Sequence, residues 1–308
     1  MTDVLSGIRT FMRAHHPHAD GINRDDYLRE VAPDLDAIIV GIPFDSTTTN
    51  RPGARMAPAA IRDASFMLCD GLNPYTGTNV MDTHQIDDMG DLKVFNGMSP
   101  ETMRSIEIGA SQLINIGKPK LLSFGGDHSV TLPLLAAHSK KYGKLALVHF
   151  DAHLDTWSGS PDHSNFLRHA IELGYVDGEK VVQFGIRSAA PMEVTQWARS
   201  AGIITVSNLD FFERTEADLL GLVRTWTKDT PTYVTFDIDA IEPSQAPGTG
   251  TPEPAGLPTH RVLPMLARLP CNIIGADVVE VSPPYDVSQL TSVTAALIGW
   301  TLLNKILS

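Results

Sequence analysis

The chain has 308 residues, 43% of them hydrophobic and 19% charged, with a formal net charge of −12. That balance supplies a sizeable core and excludes a disordered chain, and the acidity argues against a nucleic-acid surface, which needs a basic footprint. An acidic protein is compatible with a cationic substrate and disfavours anionic membranes.

In chain order, "RTFMR" (9–13) and "HHPH" (15–18) come first. His15, His16 and His18 look like a metal tract but read as a solvated N-terminal loop. "DAIIVGIPF" (36–44) reads as a buried strand, and "HQIDDMGD" (84–91) as a weaker one. A helix is predicted over 99–117, with Ser99 as N-cap, Pro100 at its first position and Gly117 as its stop. Strands follow at 120–126, 144–150, 180–186, 202–206, 231–237 and 272–281. Helices are predicted at 130–143, 190–202, 215–228 and 291–307. Most strands are apolar nearly throughout, the mark of a parallel sheet covered on both faces. Strand–helix alternation predicts a doubly wound α/β sheet. No linker, charge block or repeat divides the chain, so a single domain over 1–308 is expected, with 1–35 as an N-terminal extension. The two cysteines, Cys69 and Cys271, suggest a reducing compartment without a disulfide framework. No apolar run approaches the ~20 residues that span a bilayer and no secretory signal opens the chain, so a soluble, cytoplasmic protein is expected.

The stretch "LALVHFDAHLDTW" (145–157) carries the first chemistry. Asp151, His153 and Asp155 stand at i, i+2 and i+4, which in extended chain share one face just past a strand end. Like charges crowded there repel unless a cation joins them. Ligands of open α/β sheets bind in the crevice beyond the carboxyl ends of the strands, so the location fits. "YVTFDID" places Asp237 and Asp239 at another strand end, and "GGDHS" presents Asp127 and His128 at a third. His128, His153, Asp151, Asp155, Asp237 and Asp239 form a set of two imidazoles and four carboxylates. Such a mixed set suits Mn, Zn, Fe or Ni better than Ca or Mg. It is too rich for one catalytic ion and about right for two, ~3.5–4 Å apart, which would yield a hydroxide nucleophile near neutral pH. A lone Asp is usually a helix cap or a solvated loop residue. Three strand ends loaded together reject that reading here.

With these residues assembled, the chain resembles the ureohydrolase family, which includes arginase, agmatinase and guanidinobutyrase. The matching segments are "GGDHS" (125–129), "DAHLD" (151–155), "DID" (237–239), "RPGAR" (51–55), "APGTGTP" (246–252) and "EVSPPYD" (280–286). Agmatinases are similar through "LLSFGGDH", "TLPLLAAH", "KLALVHFDAH" and "VTFDID". The resemblance spans roughly residues 35–305. It implies a three-layer α/β/α sandwich with an eight-stranded, mostly parallel sheet and two divalent ions per subunit, Mn²⁺ first and Ni²⁺ as an alternative. Carried over by motif, one ion would take His128, Asp151, Asp155 and Asp237, the other His153, Asp151, Asp237 and Asp239. A hydroxide bridging them would attack a guanidinium carbon, releasing urea and an amine. Glu280 resembles the family's guanidinium-binding carboxylate, and His163 the histidine that shuttles a proton to the leaving amine; both would touch substrate. Asp155 would serve the reaction as well as the metal. His149 reads as a support for a ligand or as packing. "RTFMR" is similar to a segment that often lies at a subunit contact, and the family implies a homotrimer or homohexamer.

Several positions depart from the family pattern. Leu154 stands where Ser or Thr is common, Ser164 and Asn165 replace Gly and a following Thr, Met or Gln, and Glu242 replaces Asp. Ala255 replaces Gly, and "RMAP" replaces "RFGP". Trp157 stands where arginases recognise the amino-acid end of arginine with a polar residue, so arginine is the least favoured substrate. Trp157 and Asn165 are expected at the substrate, in a loop whose changes leave agmatine competing with guanidino acids, guanidine and a biguanide such as metformin. Two other classes are weighed. A non-catalytic partner of an active homologue, in a hetero-oligomer, should have lost ligands, and all six are present. A deacetylase of related fold would use one Zn²⁺ and fewer carboxylates.

Overall fold

The structure, a computed structural model, describes residues 8–17, 24–68 and 71–308; His18 and Cys69 lie outside them. Eight strands form one sheet: β1 (Ala37–Gly41), β2 (Ile86–Asp91), β3 (Lys120–Phe124), β4 (Leu145–Phe150), β5 (Val176–Ile186), β6 (Ile204–Ser207), β7 (Thr232–Asp237) and β8 (Ile273–Val279). Their order is β2-β1-β3-β8-β7-β4-β5-β6, and every pairing between them is parallel. Ten helices are described: α1 (Arg24–Glu30), α2 (Ala57–Ser65), α3 (Ser99–Asn115), α4 (Thr131–Tyr142), α5 (Phe166–Glu172), α6 (Met192–Ser200), α7 (Asn208–Glu213), α8 (Glu216–Thr227), α9 (Thr259–Ala267) and α10 (Leu290–Ile306). Two apolar clusters lie one on each face of the sheet. The first packs α2, α7, α8, α9 and α10, and the second α1, α3, α4, α5 and α6. Residues of β1, β4, β7 and β8 are buried throughout, as strands covered on both faces must be.

The α3 boundary differs in detail from the sequence reading. Ser99 is the first helical residue, with Pro100 in the first turn, and the N-cap is Met98, whose side chain has no oxygen to offer the first N–H groups. The helix ends at Asn115, and Gly117 serves close approach: a Cβ there would lie 2.5 Å from the Pro33 carbonyl oxygen. The N-terminal segment divides: Phe11 and Met12 are buried, whereas the His15 side chain stays 38% exposed. Phe11 is buried against Phe124 with ring centroids 4.7 Å apart, and His15 bridges β2 at Asp87, covering that edge strand. Its ring nitrogen lies 3.1 Å from the Asp87 carboxylate. No helix among the described residues is long and apolar enough to cross a membrane.

Register sets the floor of the site. Phe124 pairs with Val278, Val278 with Phe236, and Phe236 with Phe150, one level across the four central strands β3, β8, β7 and β4. The next residues along each strand therefore emerge side by side. Those residues begin the segments that carry Asp127–His128, Glu280, Asp237–Asp239 and Asp151–Asp155.

Candidate metal centre

After β3 the chain turns through Gly125 and Gly126. A Cβ on Gly126 would lie 1.6 Å from the Phe44 carbonyl oxygen, so only glycine lets the turn press against the segment leaving β1. Asp127 then caps a short 3-10 turn, His128–Val130, and starts His128 toward the interior. After β4, Asp151 accepts the His153 backbone N–H at 2.6 Å, which curls the "DAHLD" segment over the strand end. Asp155 completes that curl at φ 51°, a left-handed conformation costly for a residue with a Cβ. Glu280 sits at φ 62°, so two residues read as functional from sequence are held in strained backbone. At β7, Asp237 accepts the Asp239 N–H at 2.8 Å and caps a second 3-10 turn.

The structure brings all six sequence-derived ligand residues together. Nδ1 of His128 lies 3.1 Å from Asp151 Oδ2, 3.1 Å from Asp155 Oδ2 and 3.2 Å from Asp237 Oδ2. Nδ1 of His153 lies 3.0 Å from Asp239 Oδ2 and 3.3 Å from Asp151 Oδ1. Asp151 thus presents one oxygen to each group. The four carboxylates are nearly fully buried, Asp155 being the most exposed at 4%. Burial first, then neighbouring carboxylates, pushes the Asp155 and Asp237 carboxyls upward from the ordinary value. Burial opposes charge on Asp151 too, but the imidazoles around it, His149 first, hold its carboxyl well below the ordinary value. At His153 burial is outweighed by Asp239 and Asp151, which push the ring up to about 12. Both effects mark a place where positive charge is wanted.

The fit to a cation rests on His128. Its Nε2 lies 2.9 Å from Thr235 Oγ1, which donates to Asp277 at 2.6 Å. Thr235 therefore receives the Nε2–H, and the Nδ1 lone pair faces the carboxylates. That Nδ1 is buried without a hydrogen-bond partner. A nitrogen lone pair among three carboxylate oxygens is a poor arrangement for hydrogen bonding and a good one for a divalent ion. His149 lies at the same cluster, but Gln183 Nε2 donates to its Nδ1 at 3.0 Å and to the Leu154 carbonyl at 3.0 Å. His149 must then donate from Nε2 to Asp151 Oδ2, at 2.8 Å, and supports a ligand.

Above the cluster a cavity of about 310 Å³ is lined by Thr49, His128, His153, Asp155, Trp157, His163, Ser164, Asp237 and Thr251. Its size suits a small molecule. Glu280 Oε1 accepts the His128 backbone N–H at 2.8 Å and faces His163 Nδ1 at 3.1 Å; Oε2 carries neither bond. Burial weighs against charge on His163, but the Glu280 carboxylate outweighs it and the ring is raised to about 9. On its other side His163 Nε2 accepts the Thr49 N–H at 3.2 Å and lies 3.0 Å from Thr49 Oγ1.

Asn165 is not among the cavity-lining residues. Its amide accepts from Asp162 N at 2.9 Å and donates to Ser160 O at 2.9 Å, closing the turn that carries His163. Thr49, Ser164 and Thr251 line the cavity without having been singled out as site residues from sequence, although Thr251 lies within "APGTGTP" and Thr49 just before "RPGAR". Both halves of that signal were visible as motifs and silent as chemistry.

The sequence model of the arginase family matches residues 35–304. The chain is 41% identical over 276 residues to the agmatinase of Sodalis glossinidius (strain morsitans), covering 88% of this chain and 87% of that one. Among solved structures it is similar to a hypothetical agmatinase from Burkholderia thailandensis, with TM-score 0.86, 36% identity, and 98% and 91% of the two chains covered. It is also similar to the proclavaminate amidino hydrolase of Streptomyces clavuligerus, with TM-score 0.87, 33% identity, and 99% and 98% covered.

Proposed function

The chain belongs to the arginase family and is a ureohydrolase, and from that premise we propose that it hydrolyses a cationic guanidino compound, agmatine first, to urea and an amine. The observation that carries the reading is the buried, unpartnered Nδ1 of His128 facing carboxylates of Asp151, Asp155 and Asp237, with Asp151 shared by the His153–Asp239 group. His128, Asp151, Asp155 and Asp237 would hold one divalent ion, and His153, Asp151, Asp237 and Asp239 the other, Mn²⁺ or Ni²⁺. Bound there, the pair would supply a nucleophile by lowering the pKa of a water.

The chain's own side chains do the rest. Glu280 is not itself among the cavity-lining residues, but its Oε2 carries neither of the Oε1 bonds and would pair with the planar guanidinium and orient its carbon over the cluster. Asp155, at the cavity floor, adds negative charge where the substrate is positive. His163 holds a proton for the leaving amine at Nε2. Thr49 accompanies both states, its N–H donating to the neutral ring and its hydroxyl accepting from the protonated one.

No lysine or arginine lines the cavity among the described residues, so the carboxylate of a guanidino acid would lack a partner. That favours agmatine over guanidinobutyrate or guanidinopropionate. The Trp157 indole in the wall supports a second reading, an alkylated guanidine or biguanide whose tail needs apolar contact. The family resemblance leads us to propose a homotrimer or homohexamer, in the cytoplasm. The test is release of urea and of amine from agmatine, the two guanidino acids, arginine, guanidine and metformin, with Mn²⁺ and Ni²⁺ supplied separately. Agmatine turnover with about two ions bound per chain supports the reading. Protein loaded with metal that turns over none of them would point instead to a non-catalytic partner subunit.

A further inference from the structure

We propose that Asp127 and Thr47 are positioning residues for proton transfer: together they brace the 45–50 loop so that Thr49 holds the His163 imidazole at Nε2. The inference rests on the proton-transfer role proposed above for His163, and it concerns residues that do not line the cavity.

The geometry is a closed circuit of hydrogen bonds. Asp127 is completely buried, and all four of its recorded carboxylate bonds are accepted from two residues. Oδ2 takes the Thr47 N–H at 2.9 Å and the Thr47 hydroxyl at 2.7 Å. Oδ1 takes the Ser129 N–H at 3.1 Å and the Ser129 hydroxyl. The Asp127 N–H in turn donates to the Phe44 carbonyl at 2.8 Å, at the base of the same loop. Two residues past Thr47, Thr49 sets its N–H at 3.2 Å and its hydroxyl at 3.0 Å from His163 Nε2. His163 Nδ1 returns the circuit to Glu280, whose Oε1 holds the backbone N–H of His128, the neighbour of Asp127.

This pattern asks for more than loop packing. Asp45 already ties the stretch that follows this loop, accepting the Gly53 N–H at 2.8 Å and the Arg55 N–H at 3.2 Å. A buried carboxylate placed on Thr47 therefore fixes the loop itself, the part that brings Thr49 to the proton-carrying nitrogen. Charge-assisted bonds to an ionised acceptor are the stronger kind, and small displacements of an acid from its target are costly in rate.

The test uses full-length, metal-loaded enzyme with agmatine, or the guanidine turned over fastest, as probe. Thr47→Val, which keeps shape and loses the hydroxyl, is expected to lower kcat ~10-fold. KM and bound metal should stay within ~2-fold, and Thr47→Ser should restore turnover to within ~2-fold of wild type. On a His163→Ala background Thr47→Val should cost nothing further, because the group it positions is gone. Asp127→Asn should behave in the same way with a larger loss. Losses that multiply with His163→Ala, a fall in bound metal with Thr47→Val, or an unchanged kcat would each overturn the proposal. If His163→Ala itself turns over at the wild-type rate, the proton-transfer reading falls and the brace with it. A full His163→Ala defect beside a silent Thr47→Val removes the brace alone.

Discussion

His149 Nε2 lies 2.8 Å from Asp151 Oδ2, and the direction of that bond is fixed from behind by Gln183, whose amide fills the other ring nitrogen. A histidine so placed orients a metal-binding carboxylate from outside the metal. His149→Phe is therefore expected to weaken divalent-ion affinity ~10–100-fold while leaving the number of ions at saturation unchanged. Asp151→Ala should abolish stoichiometric binding, since Asp151 belongs to both groups. Metal titration followed by elemental analysis separates the two; an ion lost outright in His149→Phe would make His149 a ligand.

Ala255, which departs from the glycine of the family pattern, occupies a backbone conformation that suits glycine. Its φ is 61°, where a Cβ crowds the carbonyl, at a cost of ~1–2 kcal/mol. Glycine removes the strain but gains freedom in the unfolded chain, so Ala255→Gly is expected to stabilise by a net of about 0.5–1 kcal/mol. The readout is the urea midpoint at constant slope. A lower midpoint would mean that the methyl group is needed for packing.

How far the molecule could be read from its sequence depended on the distance over which a signal acts. The strands were legible because burial on both faces leaves continuous apolar runs, as in β4 and β8. The first half of β5 was not, since Asp177, Gly178, Glu179 and Lys180 break the run and the pairing shifts register there. Helices α5 and α7 have seven and six residues, too few for an apolar period to declare itself. The ligands were legible because each pair or triplet sits within five residues at a strand end. Thr47 and Thr49 were not: a run of three threonines states no chemistry locally, and their partners lie 80 and 114 positions away. Gln183 reaches His149 only through the pairing of β5 with β4, which no local pattern states.

His138 gives the fold a dependence on acid. The ring is fully buried in α4, donating Nδ1–H to the Leu134 carbonyl at 2.7 Å, with Nε2 unpartnered. Burial, reinforced by Lys141 and Lys120, lowers its pKa from 6.5 to about 4. The unfolded chain therefore takes up this proton first as pH falls. Stability from this group is intact above pH 6.5 and is lost progressively toward pH 4, by about 3 kcal/mol in all. His138→Phe keeps an aromatic ring beside Tyr233 and Tyr142 and cannot be protonated. Urea unfolding at pH 7.5 and 4.5 should show the wild type losing about 2–3 kcal/mol more than the variant across that interval. Parallel losses would assign the acid sensitivity elsewhere.

Glu280 is expected to govern both substrate and pH, through different oxygens. Glu280→Gln keeps the length and the left-handed backbone of the residue but removes the charge. Through Oε2 it should weaken guanidinium binding and raise KM. Through Oε1 it should release His163, whose pKa of about 9 depends on that carboxylate overcoming burial. A proton donor titrating at lower pH is deprotonated earlier as pH rises, so the alkaline limb of kcat should move down by about 2 pH units. The limb must fall, not rise, because the lost partner stabilised the protonated ring. A pH profile of kcat at saturating substrate decides it. A limb left in place while KM climbs would confine Glu280 to substrate binding and take the proton at His163 out of its control.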